Sequence, residues 1–363
     1  MRRIIPGWVK WPQLDMPLLA GLLLLMSFGL IVLYSASGEN MDVVYRQMVR
    51  LGVGLVALLM LSQVPPHIFR IWTPWLYALG IVLLLATWMF GVGRGADRWL
   101  DLGLGRFQPS EIMKLAVPMM MAWYLHPRRL PPEPVSIIVS CVILAAPAVL
   151  IARQPDLGTA LLVAISGGFA LFLAGLQWRV IAGMVALAAA TAPALWMVMH
   201  EYQRDRVRTF LDPESDPLGT GWNIIQSKIA VGSGGFTGKG WLNGTQSRLE
   251  FIPERHTDFI LAVLSEELGL LGVLFLFAAY LFIVGRGLYI ASMARSTYAR
   301  LLAGSLSLTF FVYVLVNAGM VSGLLPVVGV PLPLISYGGT SIVTLLAGFG
   351  ILMSIYGHRN FIR

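Results

Sequence analysis

Ten apolar segments, each close to the length of a membrane-spanning helix, follow one another along this chain of 363 residues. A bilayer core of about 30 Å is crossed by roughly 20 helical residues, and a helix satisfies its own backbone hydrogen bonds in lipid. The pattern therefore predicts an all-α polytopic integral membrane protein with about ten transmembrane helices. The predicted segments are 16–37, 46–64, 71–92, 109–126, 135–152, 156–177, 180–199, 259–285, 301–320 and 339–356.

The composition supports one membrane domain spanning residues 1–363. Hydrophobic residues make up 57% of the chain and charged residues 12%, whereas a soluble domain carries about 25% charged residues. The first apolar segment is longer than the roughly 7–15 residues of a signal-peptide core. We therefore expect it to be kept as the first helix.

The positions of Lys and Arg predict the orientation of the chain, because cytoplasmic loops are enriched in these residues. Placing both termini in the cytoplasm puts Arg128, Arg129, Arg295 and Arg300 on the inner side. The connections predicted to lie outside carry both signs of charge. Membrane topology thus accounts for the net charge of +8, and we expect no binding of nucleic acid.

Two connections differ from ordinary loops. Residues 200–258 form a long periplasmic loop between the seventh and eighth predicted helices. Residues 321–338 are too apolar for a solvated loop and too rich in Pro and Gly for a straight helix. Such backbone occurs at membrane depth only where protein surrounds it or where it lines a wet cavity. The second segment is therefore predicted to be re-entrant and to precede the tenth helix.

Charged side chains inside predicted helices suggest function, because their insertion is costly. Glu111 and Lys114 are three residues apart on the fourth helix, so they share a face and can form an ion pair. The pair is either a structural link to a neighbouring helix or part of a functional cavity. The sequence leaves both interpretations open.

The short 93–108 connection contains three arginines, Arg94, Arg98 and Arg106. Basic residues are unusual in a short outer loop, so they favour an anionic ligand. Pairing with Asp97 and Asp101 is an equally good explanation.

The glycine-rich run from Gly232 to Gly240 offers a second candidate for anion binding in the outer region. It lacks the spacing of a nucleotide-binding loop. Its backbone N–H groups could instead form a nest for a pyrophosphate.

A cluster of ionisable residues ends the long loop, with Glu254, Arg255, His256 and Asp258 at the predicted membrane surface. Asp258 could simply cap the eighth helix, because free N–H groups at a helix start favour a carboxylate. One face below it carries only small residues, at 262, 265 and 269. That face suits either close helix packing or a groove for an apolar tail, and the groove favours a lipid-linked substrate.

Taken together, these motifs resemble the SEDS (shape, elongation, division, sporulation) family of membrane proteins. The resemblance covers nearly the whole chain. The sequence around residues 253–258 resembles the rod-shape elongation branch more than the division branch. The motifs that carry it are Gly95–Leu100, Gln108–Lys114, Gln154–Gly158, Asp216–Gly219, Gln226–Gly240, Phe251–Gly269, Asn317, Gly323, Leu324, Pro326, Gly329 and Leu334–Ser341.

The resemblance implies a peptidoglycan glycosyltransferase that polymerises lipid II during cell elongation in the bacterial inner membrane. By family match Asp258 is the candidate general base of an inverting transfer, with undecaprenyl pyrophosphate as the leaving group. The implied substrate-binding residues are Arg98, Glu111, Lys114, Arg206, Lys239, His256 and Ser336.

The same resemblance implies partners as well as a substrate. These are a class B penicillin-binding protein, which crosslinks the glycan, and other membrane proteins of the elongation complex. No organic cofactor is expected. The reaction could require a divalent cation, although the outer residues give little support for a dedicated metal site.

Two other functions use some of the same features. A lipid II flippase would need the groove and the charges within the membrane, but not a carboxylate beside an outer loop. A non-catalytic scaffold of the wall-synthesis complex would need neither.

Overall fold

The computed structural model describes residues 14–91, 98–101, 106–199, 201–215, 220–249, 251–252 and 254–359. The described chain is helical except for a two-stranded antiparallel hairpin, in which β1 (Leu100–Asp101) pairs with β2 (Arg106–Phe107). All ten predicted segments are helices. They are α1 (Met16–Ala36), α2 (Met41–Gln63), α3 (Pro66–Phe90), α4 (Pro109–Leu125), α5 (Pro134–Arg153), α6 (Leu157–Leu173), α7 (Trp178–Val198), α11 (Ile260–Met293), α12 (Thr297–Val321) and α13 (Thr340–Gly357).

Within the described residues, seven of these helices are long and apolar enough to cross a bilayer: α1, α2, α3, α5, α11, α12 and α13. Helices α6 and α7 add shorter apolar stretches, and α4 has 17 residues. The prediction of an all-α polytopic membrane protein is confirmed.

The long 200–258 connection is more ordered than predicted. It contains α8 (Glu201–Leu211), a 3-10 turn (Pro213–Ser215), α9 (Thr220–Ser233) and the single-turn α10 (Thr245–Arg248). Helix α9 packs against α11 and α12, burying Ile224 and Ala230. This connection therefore forms a cap over one end of the bundle.

Helix α11 is broken inside, at Gly269, whose φ of 62° and ψ of −160° are not helical. The glycine-rich loop supplies backbone hydrogen-bond partners to the residues on both sides of the break. The N–H groups of Lys239 and Gly240 donate to the carbonyls of Glu266 and Glu267, and the N–H groups of 270 and 271 donate to the carbonyls of 235 and 236. A Cβ built on Gly238 would lie 2.1 Å from the carbonyl oxygen of Glu267, so only glycine fits this approach.

An ion pair ties the N-terminus of α1 to the second part of α11. Asp15 is fully buried, caps α1 through the N–H of Leu18, and accepts two bonds from Arg286 Nε and one from Nη2, at 2.7–3.1 Å. The predicted helix ended at residue 285. Because α11 continues to Met293, Arg286 lies within the helix rather than in an inner loop.

The 321–338 segment contains no helix beyond the last residue of α12. Protein nevertheless surrounds much of it, and Val330, Leu332, Leu334 and Ile335 are buried. The segment is therefore non-helical and buried, as its Pro and Gly content predicts. Its re-entrant course relative to a membrane stays a prediction.

Candidate active site

Asp258 lies in the turn formed by residues 254–259, directly before α11. Phe259, not Asp258, occupies the N-cap position of the helix, and no side chain caps it. The N–H of Phe259 instead donates to the carbonyl of Glu254 at 3.1 Å. The helix-capping interpretation of Asp258 therefore has no support in this geometry.

The Asp258 carboxylate faces the 321–338 segment, where a Cβ built on Gly329 would lie 3.5 Å from its Oδ2. The pKa of Asp258 is raised to about 6, mainly by burial and also by the nearby carboxylate of Glu254, while Arg206 opposes the rise. Such a group loses its proton close to neutral pH. It can therefore act as a general base.

Arg206 and His256, two predicted substrate contacts, lie near Asp258. Arg206 belongs to α8, and its charge acts directly on the carboxylate. The His256 ring makes an edge contact with the Tyr337 ring, with centroids 6.0 Å apart. The guanidinium of Arg50 lies 4.4 Å from the Tyr337 centroid. Tyr337 thus contacts both His256 of the turn and Arg50 of α2.

Ser336 is buried and its hydroxyl is already bonded within the chain. It donates to the carbonyl of Thr257 at 2.5 Å and accepts from the N–H of Leu332 at 2.8 Å. These contacts place Ser336 beneath the turn that carries Asp258.

Glu111 and Lys114 form the predicted ion pair, 2.6 Å apart. Glu111 Oε2 is buried and lacks a hydrogen-bond partner among the residues that the structure describes. Both side chains line a cavity of the helix bundle. The cavity also contacts Ser336 and is otherwise mostly apolar, with walls that include Phe310, Leu332, Leu334, Leu345 and Phe349.

Among the described residues, Arg98 binds the chain at the start of α6. Its Nε donates to the carbonyl of Gln154 at 3.2 Å, its Nη2 donates to Pro155, and its Nη1 lies 3.8 Å from Asp156. Asp97 lies outside the described residues, and of Asp101 only the backbone is described. The sequence did not suggest Asp156 as a partner.

Lys239 forms an ion pair with Glu266 in the first part of α11, at 2.7 Å. The N–H groups of Gly238, Lys239 and Gly240 are all bonded to carbonyls of the chain. The predicted anion nest therefore has its central donors engaged by the protein itself.

Two buried amides that sequence reasoning did not assign to the site contact it directly. Asn317 donates to the carbonyls of Asp258 and Val330, each at 2.8 Å. Gln47 donates to the carbonyl of Ser336 at 3.0 Å. The sequence did contain a signal for them. An amide inside an otherwise apolar helix is a buried polar group, which needs a hydrogen-bond partner elsewhere in the fold.

Among the described residues, no group of three or more His, Cys, Asp or Glu side chains is arranged to hold a metal ion. Asp216, which belongs to the acidic 212–216 turn, lies outside the described residues.

Known proteins are similar to this chain along nearly its whole length. The family described as cell cycle protein, which covers FtsW, RodA and SpoVE, matches residues 15–360. The peptidoglycan glycosyltransferase MrdB of Escherichia coli K12 is 55% identical over 96% of this chain and 95% of its own length. The probable peptidoglycan glycosyltransferase FtsW of Trichlorobacter lovleyi is 36% identical over 98% and 96%.

Solved structures are similar over nearly the full length. One chain comes from a peptidoglycan synthase complex that coordinates polymerization and crosslinking; it has a TM-score of 0.84 and 33% identity, covering 96% of this chain and 99% of that one. The rod shape determining protein RodA of Thermus thermophilus has a TM-score of 0.73 and 27% identity, with the same coverage. The predicted enzyme class, a glycosyltransferase, is confirmed. The chain belongs to the FtsW/RodA/SpoVE family, the SEDS proteins.

Proposed function

We propose that this chain polymerises lipid II into peptidoglycan glycan strands, with Asp258 as the general base. The 4-hydroxyl of the acceptor sugar forms a bond to the anomeric carbon of the donor as the bond to undecaprenyl pyrophosphate breaks. The hydroxyl proton passes to Asp258, and the leaving group carries away the electron pair. Direct displacement inverts the anomeric configuration.

The observation that carries this proposal is the partly buried Asp258 carboxylate with its pKa raised to about 6. A base is most effective when its pKa lies near the working pH. The neighbouring carboxylates Glu266 and Glu267 are each bonded to other parts of the chain, Glu266 to Lys239 and Glu267 to Ser35. Asp258 is therefore the better-placed proton acceptor.

The leaving pyrophosphate needs positive charge, and we assign this role first to Arg206. Its charge acts on Asp258, so it lies at the reacting group. Arg98 and Lys239 remain predicted substrate contacts, but each already binds the chain itself. We keep His256 as a predicted sugar contact; its ring lies beside that of Tyr337 in the 321–338 segment.

We assign the apolar cavity to part of the polyprenyl tail. Its walls are mainly aliphatic and aromatic side chains, which suit an apolar chain. Glu111 and Lys114 contribute a polar wall. Ser336 contacts both this cavity and the Asp258 turn, so tail and sugar would be held by adjacent structures.

The location and partners of the protein follow from the same reasoning. We place it in the bacterial inner membrane with both termini in the cytoplasm and the 200–258 connection outside. A crosslinking partner is expected, of the class B penicillin-binding protein type, together with other elongation-complex proteins. The similar chain from a complex that couples polymerization to crosslinking supports this.

The test is polymerisation of fluorescent lipid II by the purified protein, alone and with its penicillin-binding partner, with product length read on gels. Glycan strands that are absent without this protein and formed with it support the proposal. A flippase would move lipid II between leaflets of proteoliposomes without forming strands, and a scaffold would do neither. Adding EDTA and then restoring Mg²⁺ or Mn²⁺ tests the requirement for a cation.

A further inference from the structure

Three consecutive backbone carbonyls of the Asp258 turn accept hydrogen bonds from outside the turn. The carbonyl of His256 accepts from the N–H of Tyr337 at 2.8 Å. The carbonyl of Thr257 accepts from Ser336 Oγ at 2.5 Å. The carbonyl of Asp258 accepts from Asn317 Nδ2 at 2.8 Å. All three donors come from the end of α12 or from the 321–338 segment.

These hydrogen bonds fix the orientation of the backbone in the Asp258 turn. In a regular helix the carbonyl of Asp258 would accept from the N–H of Ala262. Here that N–H donates to Phe259 at 2.9 Å, so the carbonyl of Asp258 is free to face α12. Since backbone and side chain leave the same Cα, holding the carbonyl also sets where the carboxylate can point.

Helix α2 holds the backbone of residues 336–338, which carries two of the three donors. Gln47 donates to the carbonyl of Ser336 at 3.0 Å and accepts from the N–H of Gly338 at 3.3 Å. Arg50 donates to the carbonyl of Gly338 at 3.1 Å. Gln47 is 1% exposed and Asn317 is fully buried, so these bonds form away from water, where an unmade hydrogen bond is costly.

We infer that Ser336 and Asn317 are positioning residues, which act on the reaction by holding the Asp258 turn against the 321–338 segment. The inference rests on the proposed function, since it assigns their effect to Asp258. It also changes the interpretation of Ser336 from a substrate contact to a support of the base. A small displacement of a catalytic group can lower the rate about a hundred-fold, so loss of one support should act on turnover.

The test compares two Ser→Ala variants of equal chemical change. Ser336 and Ser307 are both 2% exposed, but the Ser307 hydroxyl donates only within its own helix, to the carbonyl of Ala303. We expect Ser336→Ala to lower kcat for lipid II polymerisation about ten-fold or more with KM nearly unchanged. Ser307→Ala should keep the wild-type kcat.

Two further variants separate positioning from general destabilisation. Ser336→Thr keeps a hydroxyl and should recover much of the lost kcat. Asn317→Leu keeps a similar volume but removes both donors, and should lower kcat in the same way. Thermal unfolding in the same detergent should show that Ser336→Ala, like Ser307→Ala, is fully folded at the assay temperature, although its unfolding temperature should be lower because two buried bonds are lost.

Equal kcat for Ser336→Ala and Ser307→Ala would overturn the inference, as would a loss confined to KM. The companion variant Asp258→Asn keeps this outcome distinct from failure of the proposed function. An inactive Asp258→Asn beside a fully active Ser336→Ala refutes only the positioning role. An active Asp258→Asn refutes the base itself.

Discussion

The ammonium group of Lys239 lies 2.7 Å from Oε1 of Glu266, a carboxylate that is fully buried in the first part of α11. The same oxygen accepts from the N–H and hydroxyl of Thr245 and from the N–H of Gln246, at 2.8–3.0 Å. One carboxylate thus binds residues at both ends of the 239–246 loop, close to the break at Gly269. The loop and the broken helix stabilise each other.

Removing the Lys239 ammonium should destabilise the folded protein without abolishing insertion. We expect Lys239→Met to lower the free energy of unfolding by about 1.5–3 kcal/mol, the range for a hydrogen bond to a charged group. Three donors to Glu266 remain, which limits the loss. Unfolding in detergent measures the effect, with Lys228→Met as control, because Lys228 is exposed on α9. Equal stability of the two variants would remove the structural role from the ion pair.

The rate should depend on pH through Asp258. A general base acts when deprotonated, so kcat should rise with pH around the pKa of about 6. Glu254 raises this pKa and Arg206 lowers it. Glu254→Gln should therefore move the acid limb of the pH–rate profile to lower pH, and Arg206→Gln should move it to higher pH.

The control for these shifts is Glu133→Gln, since Glu133 is an exposed carboxylate at the start of α5 that makes no side-chain cap bond. Its profile should superimpose on the wild-type one. Shifts of Glu254→Gln and Arg206→Gln in the same direction would contradict the electrostatic assignment.

Gly329 should tolerate no side chain without loss of activity. Its φ of 70° is in the left-handed region, where other residues cost roughly 1–2 kcal/mol, and an added Cβ would lie 3.5 Å from Asp258 Oδ2. We expect Gly329→Ala to reduce turnover. Gly52→Ala is the control, since Gly52 lies within α2 with open space at its Cβ position. Equal turnover in the two variants would show that the backbone at 329 does not shape the site.

Orientation can be measured with reporters. A fusion after Gly244, in the loop above α11, and a fusion at the C-terminus should report opposite sides of the membrane. Signals from the same side would mean that the number of crossings between them is even.

The sequence was sufficient for the ten helices because length and hydropathy are local properties. It did not predict the break in α11, since glycine is common inside membrane helices and Gly269 gave no separate signal. The break depends on backbone partners at 235–240, more than 25 residues away. The helices of the 200–258 connection were missed for a different reason. Helix α8 is polar, and hydropathy does not detect such a segment.

In the site, too, local features were predictable from the sequence and contacts between distant residues were not. Glu111 and Lys114 were paired correctly because helical spacing determines which side chains share a face. Asp258 was selected by its position and by family match. The bonds from Asn317 and Ser336 to its turn were not predictable, because they join residues 59 and 79 positions apart.

The central claim is that Asp258 accepts the proton of the attacking hydroxyl, and Asp258→Asn tests it most directly. The substitution keeps the shape of the side chain and its hydrogen bonding while removing the base, which typically contributes about 10²–10⁴-fold to a rate. The measurement is lipid II polymerisation by the purified variant with its penicillin-binding partner, at wild-type levels of insertion and partner binding. Almost complete loss of glycan strands is predicted. A rate above about one tenth of wild type would fall short of this contribution and would contradict the assignment.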